Sequence, residues 1–571
     1  MVPSKEVTVE ASPVLKISPE PSPPQPATKP KLGLRAWMER VLVECDRAAA
    51  GFDVDAVHDL RVALRRCRSL ADGLMALDPD SSWKDMKKAG KKVFKALGEL
   101  RDMQVMEEWI EKLSVSSGDA ASQVSTGDMG DPVTVKLLHY VRGRESECKQ
   151  EAREDLDQFD PKQWQQWSRS LPQRASRVHP GSVVYLHLAL EKWTDAYELH
   201  KHALRSRSQV GWHELRIGIK RFRYTVENFL PRQHELWGND LKDLQDALGE
   251  VHDLDVLWAL AVRPDVGAFP DFESRKRWRE KLNVERAKRI ARYRAKMVGK
   301  QSLWRVWRAE LPAGPQLCAA AMSRLRVWAG YLDPDFAHSQ RVAQLALLLY
   351  DGLRNAGLLK DGGPAGSNSN SPGDVKYDLR AVLQAAALMH DVGKVKGAAN
   401  HHKKSYRMIR GLTPPLGWSA PELELAAVVA RYHRGALPRL RGKTLQSIEL
   451  PHRTLAMELA GVLRLANALD IRSGDGRKDG KKIRKKSESE GAPRIEVSAQ
   501  DRFVEVRVGG YSALERSAEK VAAARHLLET VLRRPLLVRT LRPPAGGSRS
   551  AGPTLVTKGR APGALRKASR N

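Results

Sequence analysis

Apolar residues recur along most of this chain at the three- and four-residue steps of amphipathic helices, and only near the C-terminus does the pattern tighten to simple alternation. In VHDLRVALRRCRS, the residues Val57, Leu60, Val62, Ala63, Leu64 and Cys67 form an apolar stripe. That stripe predicts a helix with His58, Arg61, Arg65 and Arg68 on another face, at steps of 3, 4 and 3. FAHSQRVAQLALLLY, the apolar run ending in AAALMHDVGK, and LAGVLRLANALD predict three further helices, and SRKRWREKLNVERAKRIARYRAKM reads as the outer face of a long one. PRIEVSAQ and RFVEVRVG alternate like a short β hairpin, and ALERSAEKVAAARHLLETVLRRPL reads as a final amphipathic helix.

A basic helical stripe is costly by itself, since like charges at i, i+4 destabilise a helix by roughly 0.2 to 0.5 kcal/mol per pair. Within the quoted stretch Asp59 is the sole acid that could offset it. The stripe nevertheless occurs twice. In WHELRIGIKRFRYTVENFL, His213, Arg216, Lys220 and Arg223 keep the same steps, and Arg221 stands where Arg66 stood. The following segments repeat too: KKVFKALGELRDMQVM answers LKDLQDALGEVHDLDVL, matching Lys91 to Lys242 and the Leu-Gly-Glu at Leu97 to that at Leu248. Such repetition marks a duplicated unit, so two basic helices related by approximate symmetry would face one groove.

Composition narrows the partners. The 571 residues suffice for two or more domains, and a formal charge of +29 calls for a polyanion, whether nucleic acid, anionic membrane or polyphosphate. Cys45, Cys67, Cys148 and Cys318 lie far apart without a Cys-x-x-Cys, which suggests neither zinc knuckle nor disulfide framework and points to a reduced, cytoplasmic setting. Residues 1–31 are rich in Pro and Ser, lack the apolar core of a signal peptide and read as a disordered leader. No run of eighteen apolar residues occurs, so no membrane insertion is expected. SVSSGDAASQVSTGDMGD, LKDGGPAGSNSNSPGD and residues 541–571 read as flexible, and LPAGPQ as the main linker.

The His-x-x-Arg-x-x-x-(Lys/Arg)-Arg-x-Arg helix, present twice and each time followed by Leu-Gly-x-x-(Arg/His)-Asp, resembles the conserved-histidine α-helical (CHAD) domain across residues 32–310. The resemblance implies two helical bundles in pseudo-twofold symmetry around a basic channel for inorganic polyphosphate. The ligands it implies are His58, Arg61, Arg65, Arg68, Lys91, His213, Arg216, Lys220, Arg223 and Lys242. Arginine forks suit phosphate oxygens, which makes the implied chemistry reasonable.

The second half carries other chemistry. An adjacent His-Asp pair can ligate one divalent metal if the fold adds a further His and Asp. The ordered series His338, His390, Asp391, Asp470 resembles the HD superfamily of metal-dependent phosphohydrolases, in which such a set holds a metal that activates water. The resemblance gives Asp391 and Lys394 catalytic roles, Lys394 near the substrate phosphate. HHKKSYRMI, ELAAVVARYHRGALP and VLRLANALD narrow it to the C-terminal helical domain of the exopolyphosphatase and guanosine pentaphosphate phosphatase family, over residues 315–540. There His401, His402 and His433 become candidates for a second metal or phosphate contacts, with loop residues or, for His433, a helix cap as the plain alternatives. The family's N-terminal actin-like module has no counterpart in this sequence. The run RSGDGRKDGKKIRKKSESE is most simply a solvated insertion.

The expected protein is therefore mainly all-α: a duplicated helical-bundle CHAD domain, then an HD-type helical domain with a small β hairpin. It would bind polyphosphate and hydrolyse phosphoanhydrides with a divalent ion (Mg, Mn, Fe or Zn), polyphosphate being the first substrate choice and guanosine tetra- or pentaphosphate the second. It would be cytoplasmic, with association to polyphosphate granules allowed by its charge. The rival is a non-enzymatic polyphosphate receptor or scaffold with a structural HD domain. An RNA-binding protein rests only on bulk charge, since the repeat offers no base-reading logic.

Overall fold

The structure, a computed structural model, describes residues 33–115, 131–359, 377–470, 494–512 and 517–541. The leader, the Gly- and Ser-rich segments, the basic insertion after Asp470 and the tail lie wholly or almost wholly outside the described residues.

The first half is helical: α1 (Leu34–Gly51), α2 (Val54–Leu74), α3 (Ser81–Val115), α4 (Pro132–Asp157), α5 (Pro161–Ala175), α6 (Val183–Ser206), α7 (Gln209–Phe229), α8 (Pro231–Ala261), α9 (Phe272–Met297) and α10 (Leu303–Ala309). Each stripe has its own helix, α2 and α7. Both start on side-chain caps, Asp53 accepting from the Ala56 amide and Ser208 from the Gly211 amide. On α2, Val57, Leu60, Ala63, Leu64 and Cys67 are buried, while Val62 is only partly covered.

The two helices pack directly on one another. Asn228 donates to the Ser69 hydroxyl at 3.0 Å and Arg66 pairs with Glu227 at 2.6 Å. Gly73 touches Phe229 so closely that a Cβ would lie 2.3 Å from the ring. The basic α9 is an outer helix tied down by acids, Arg286 to Asp255 at 2.9 Å and Arg289 to Glu250 at 2.7 Å. Its Trp278 is buried, with its indole N–H on Asp131.

The second half continues with α11 (Pro315–Leu332), α12 (Phe336–Asn355), α13 (Leu379–Met389), a 3₁₀ turn (Val392–Lys396), α14 (His401–Arg410), α15 (Ala420–Arg431), α16 (Lys443–Gln446) and α17 (Leu450–Leu469). One hydrophobic core runs from Leu34 to Leu311 and a second from Leu325 to Val538. α11 lies between them. Its Arg324 pairs with Glu191 of α6, and its Tyr331 donates to the Arg174 carbonyl at 2.8 Å. The buried His187 bonds through Nε2 to the Leu416 carbonyl at 2.8 Å.

The expected hairpin is present as β1 (Ile495–Ala499) antiparallel to β2 (Val504–Gly509). The sheet has a third strand that the periodicity did not predict, β3 (Leu536–Leu541), parallel to β2 and reached through α18 (Ser517–Leu532). The sequence expectation carried this helix on to Leu536. Arg533, in the left-handed region at φ 53°, and Pro535 end it sooner, and Leu-Leu-Val-Arg-Thr-Leu then extends along β2.

Candidate functional site

The basic residues of α2 and α7 converge. Arg61 donates to the Phe94 carbonyl at 3.3 Å, and its guanidinium lies 4.4 Å from the Phe94 ring centre. Arg68 lies 4.8 Å from the same ring, so one aromatic face shares two cations. In the second repeat the position corresponding to Phe94 is Gln245, whose side-chain oxygen is buried without a partner.

Lys220 reports how closely the repeats approach. Burial first, then the charges of Arg216, Arg65, Arg61 and Arg68, push its amine down to about 7. Three of those four arginines belong to the other repeat. Arg61 is likewise pushed down to about 10, by burial against the pull of Asp102 and then by Arg65, Arg101 and Arg68. Asp253 is pushed up to about 6 by burial, which outweighs Arg216.

His58 is lowered by desolvation and then by Arg101 and Arg65. His213 meets His252, Nδ1 to Nδ1, at 3.3 Å. Arg223 lies 3.9 Å from Glu227. Lys91 and Lys242 are exposed on α3 and α8, with no ion pair among the described residues. Buried donors stand unsatisfied around this cluster: Arg68 Nε, Arg101 Nη1, Arg223 Nε and the Tyr224 hydroxyl. Arg101, Asp102, His252 and Asp253 were missing from the sequence-based ligand set, although the repeated Leu-Gly-x-x-(Arg/His)-Asp marks all four.

A second cluster forms where helix ends meet. His338 lies in the first turn of α12, His390 and Asp391 follow α13, His401 and His402 open α14, and His433 follows α15. Gly393 permits this approach, because a Cβ there would lie 2.3 Å from the His401 carbonyl and 2.5 Å from the Ser405 amide. Asp391, only 2% exposed, stands at the centre. Its Oδ2 is 3.4 Å from His390 Nε2 and 3.8 Å from His338 Nε2. Its Oδ1 is 3.0 Å from His401 Nε2 and 3.7 Å from His433 Nε2. Burial would raise this carboxylate, but the surrounding histidines hold it far below the usual range. Lys394 pairs with Oδ2 as well.

Three of the histidines are oriented in one way. His390, His401 and His433 each bond through Nδ1 to the carbonyl three residues back, at 2.7, 2.9 and 2.8 Å. That leaves the Nε2 lone pairs pointing inward. His401 and His433 Nε2 are then 3.2 Å apart, and His390 Nε2 and Asp391 Oδ1 are buried without hydrogen-bond partners. Neighbouring lone pairs repel unless a cation or proton lies between them. The donor set therefore fits a divalent ion, in two groups that share Asp391: His338, His390, Asp391 and Asp391, His401, His433. His433 thus satisfies a carbonyl at the end of α15 and presents its other nitrogen to the cluster.

Asp470 lies outside both groups. Arg341 grips both of its oxygens, at 2.8 and 2.9 Å, and Oδ2 also bonds His338 Nδ1 at 2.6 Å. In this arrangement it orients His338 from behind. His402 stays beside the cluster, 5.9 and 6.3 Å from the His401 and His433 ring centres. Burial and then Arg431 push it down to about 4.

Comparison with known proteins matches residues 33–262 to the CHAD domain and residues 329–507 to the Ppx/GppA phosphatase, domain III. A crystal structure of the CHAD domain from the plant Ricinus communis is similar at 19% identity, over 49% of this chain and 90% of that chain, with a TM-score of 0.31. Among curated proteins no match is found. No helix of the described residues is long and apolar enough to cross a membrane.

Proposed function

We propose that this chain, a CHAD domain joined to a domain III-like segment of the Ppx/GppA phosphatases, binds inorganic polyphosphate in the groove between α2 and α7 and hydrolyses phosphoanhydrides at the Asp391 cluster. The observation that carries the reading is Lys220 set among arginines of both repeats, with unsatisfied guanidinium donors around it. A polyanion with closely spaced charges would compensate the part of this cluster that Asp102 and Asp253 leave unbalanced. The two functional units are taken as residues 32–310 and 315–540.

His338, His390, Asp391, His401 and His433 would hold the divalent ion, which when bound supplies Lewis-acid activation of water. Lys394, paired with Asp391, is placed to offer its charge to a phosphate oxygen. The groove retains the long substrate on the same chain and so raises its effective concentration at the cluster. Inorganic polyphosphate is the first substrate and guanosine polyphosphates the second.

A receptor without hydrolysis is the second reading, favoured by the capture of Asp470 by Arg341, which leaves the cluster a single carboxylate. Phosphate release from both substrates, assayed on the purified chain with Mg, Mn, Fe and Zn, separates the two. Release that follows metal loading supports the hydrolase. Tight polyphosphate binding with no release under any metal establishes the receptor.

A further inference from the structure

The carboxylates around this centre are unequally available. Asp391 faces four histidines. Both oxygens of Asp470 are already taken: Arg341 Nε holds Oδ1 at 2.8 Å, while Arg341 Nη2 and His338 Nδ1 hold Oδ2 at 2.9 and 2.6 Å. The Asp470 side chain is only 7% exposed, so water does little to loosen this two-pronged grip. Asp333, a second buried acid just before α12, is occupied too, by the Ser339 hydroxyl at 2.5 Å and the Asp335 amide at 3.0 Å.

The remaining donor set is richer in nitrogen than in carboxylate. Each of the two groups contains two imidazoles and the same Asp391. Neutral imidazole suits zinc, iron and nickel, whereas magnesium and manganese favour carboxylate, carbonyl and water oxygens. Asp470 acts one layer further out. With its carboxylate on Nδ1, the His338 ring turns Nε2 towards Asp391 Oδ2 at 3.8 Å and the neutral Asn467 amide oxygen at 3.0 Å. His338 and Arg341 lie three residues apart on α12, so one turn of helix carries both a ligand and the cation that fixes the acid behind it. That guanidinium also cancels a negative charge that would otherwise favour a hard cation.

We propose that Arg341 sets the ion class of the Asp391 centre: by keeping Asp470 out of ligation, it makes a histidine-dominated site for zinc, iron or nickel in preference to magnesium or manganese. The assignment rests on the cluster being a metal centre and deepens that reading by naming the class of ion. It does not depend on hydrolysis.

The test is competition between the full chain and a chromophoric chelator, for Zn²⁺ and for Mn²⁺, read as two dissociation constants. Most sites bind zinc tighter than manganese, so the decisive quantity is how their ratio changes on substitution. Arg341→Gln frees Asp470 for the cluster and should raise Mn²⁺ affinity more than Zn²⁺ affinity, narrowing the ratio about tenfold. Asp470→Ala should weaken both ions alike, by about ten- to a hundredfold, as for loss of the group behind a ligating histidine. Arg341→Gln combined with Asp470→Ala should return the ratio to its wild-type value. Arg341 is 40% exposed, so its replacement leaves the core intact, and Arg341→Lys, which keeps the charge but loses the fork, should narrow the ratio less. An unchanged ratio in both Arg341→Gln and Arg341→Lys overturns the proposal. So does an Asp470→Ala chain that loses Mn²⁺ far more than Zn²⁺, because Asp470 would then already be a ligand. If neither ion binds the wild-type chain, the metal-centre reading fails and takes this assignment with it. A ratio that narrows as expected in a chain that releases no phosphate keeps the assignment and removes only the hydrolase reading.

Discussion

Replacing Lys220 with methionine tests whether the two repeats form one electrostatic unit. In the free protein this amine is held at about 7, by burial and by Arg216, Arg65, Arg61 and Arg68, against an ordinary value of 10.5. A polyanion in the groove offsets those guanidinium charges, so the bound state keeps the proton. Binding above pH 7 must then take up a proton, and affinity falls as pH rises. With one such group, the loss between pH 7 and pH 8.5 is roughly 15-fold. Asp253, at about 6, and His252, at about 4, titrate mainly below that window. Stability of the free protein has the opposite sign. The unfolded chain binds more protons than the native one between about pH 7 and 10.5, so the ligand-free fold gains stability over that range. The assay is equilibrium binding of labelled polyphosphate at constant ionic strength, because salt alone shifts the affinity. Lys220→Met should flatten the pH profile. A flat wild-type profile, or an equal slope in the variant, would show that the stripes do not share a ligand.

Arg61→Glu with Arg216→Glu should abolish most polyphosphate binding, whereas Arg275→Glu with Arg277→Glu on the outer helix should cost little; equal losses in filter-binding assays would point to diffuse charge. Asp391→Ala should strip divalent metal, as read by elemental analysis, while polyphosphate affinity stays at the wild-type level, because Asp391 lies in both histidine groups and outside the groove. Gly393→Ala should lower stability by about 3 kcal/mol and reduce metal uptake, since the new methyl must displace the His401 carbonyl; an unchanged melting temperature would refute the close packing.

The basic stripes were legible because helical spacing alone puts His58, Arg61, Arg65 and Arg68 on one face, and repetition indicated a shared groove. What joins the copies was not legible. The Arg66–Glu227 pair and the fit of Phe229 on Gly73 link residues more than 150 positions apart, which no local pattern records. His390 and Asp391 could be found in sequence because they are adjacent at the end of an apolar run. The inward turn of His401 and His433 depends on carbonyls three residues back, a feature of helix ends rather than of residue type. Arg341 was overlooked for a simpler reason: it looks like any charged helical residue until the fold sets it against Asp470. β3 was hidden because a short apolar run at a helix terminus fits strand and helix equally well.

The exchange of Phe94 for Gln245 bears on how a ligand could lie in the groove. Phe94 lies beneath two guanidinium groups in the first repeat, whereas the second repeat has Gln245 at the corresponding position, so the duplicated halves are no longer interchangeable. A string of identical phosphates reads the same from either end. On the proposed reading, a string threaded in forward or reversed would meet the same two unlike repeats and gain the same energy. Such a groove cannot distinguish head from tail.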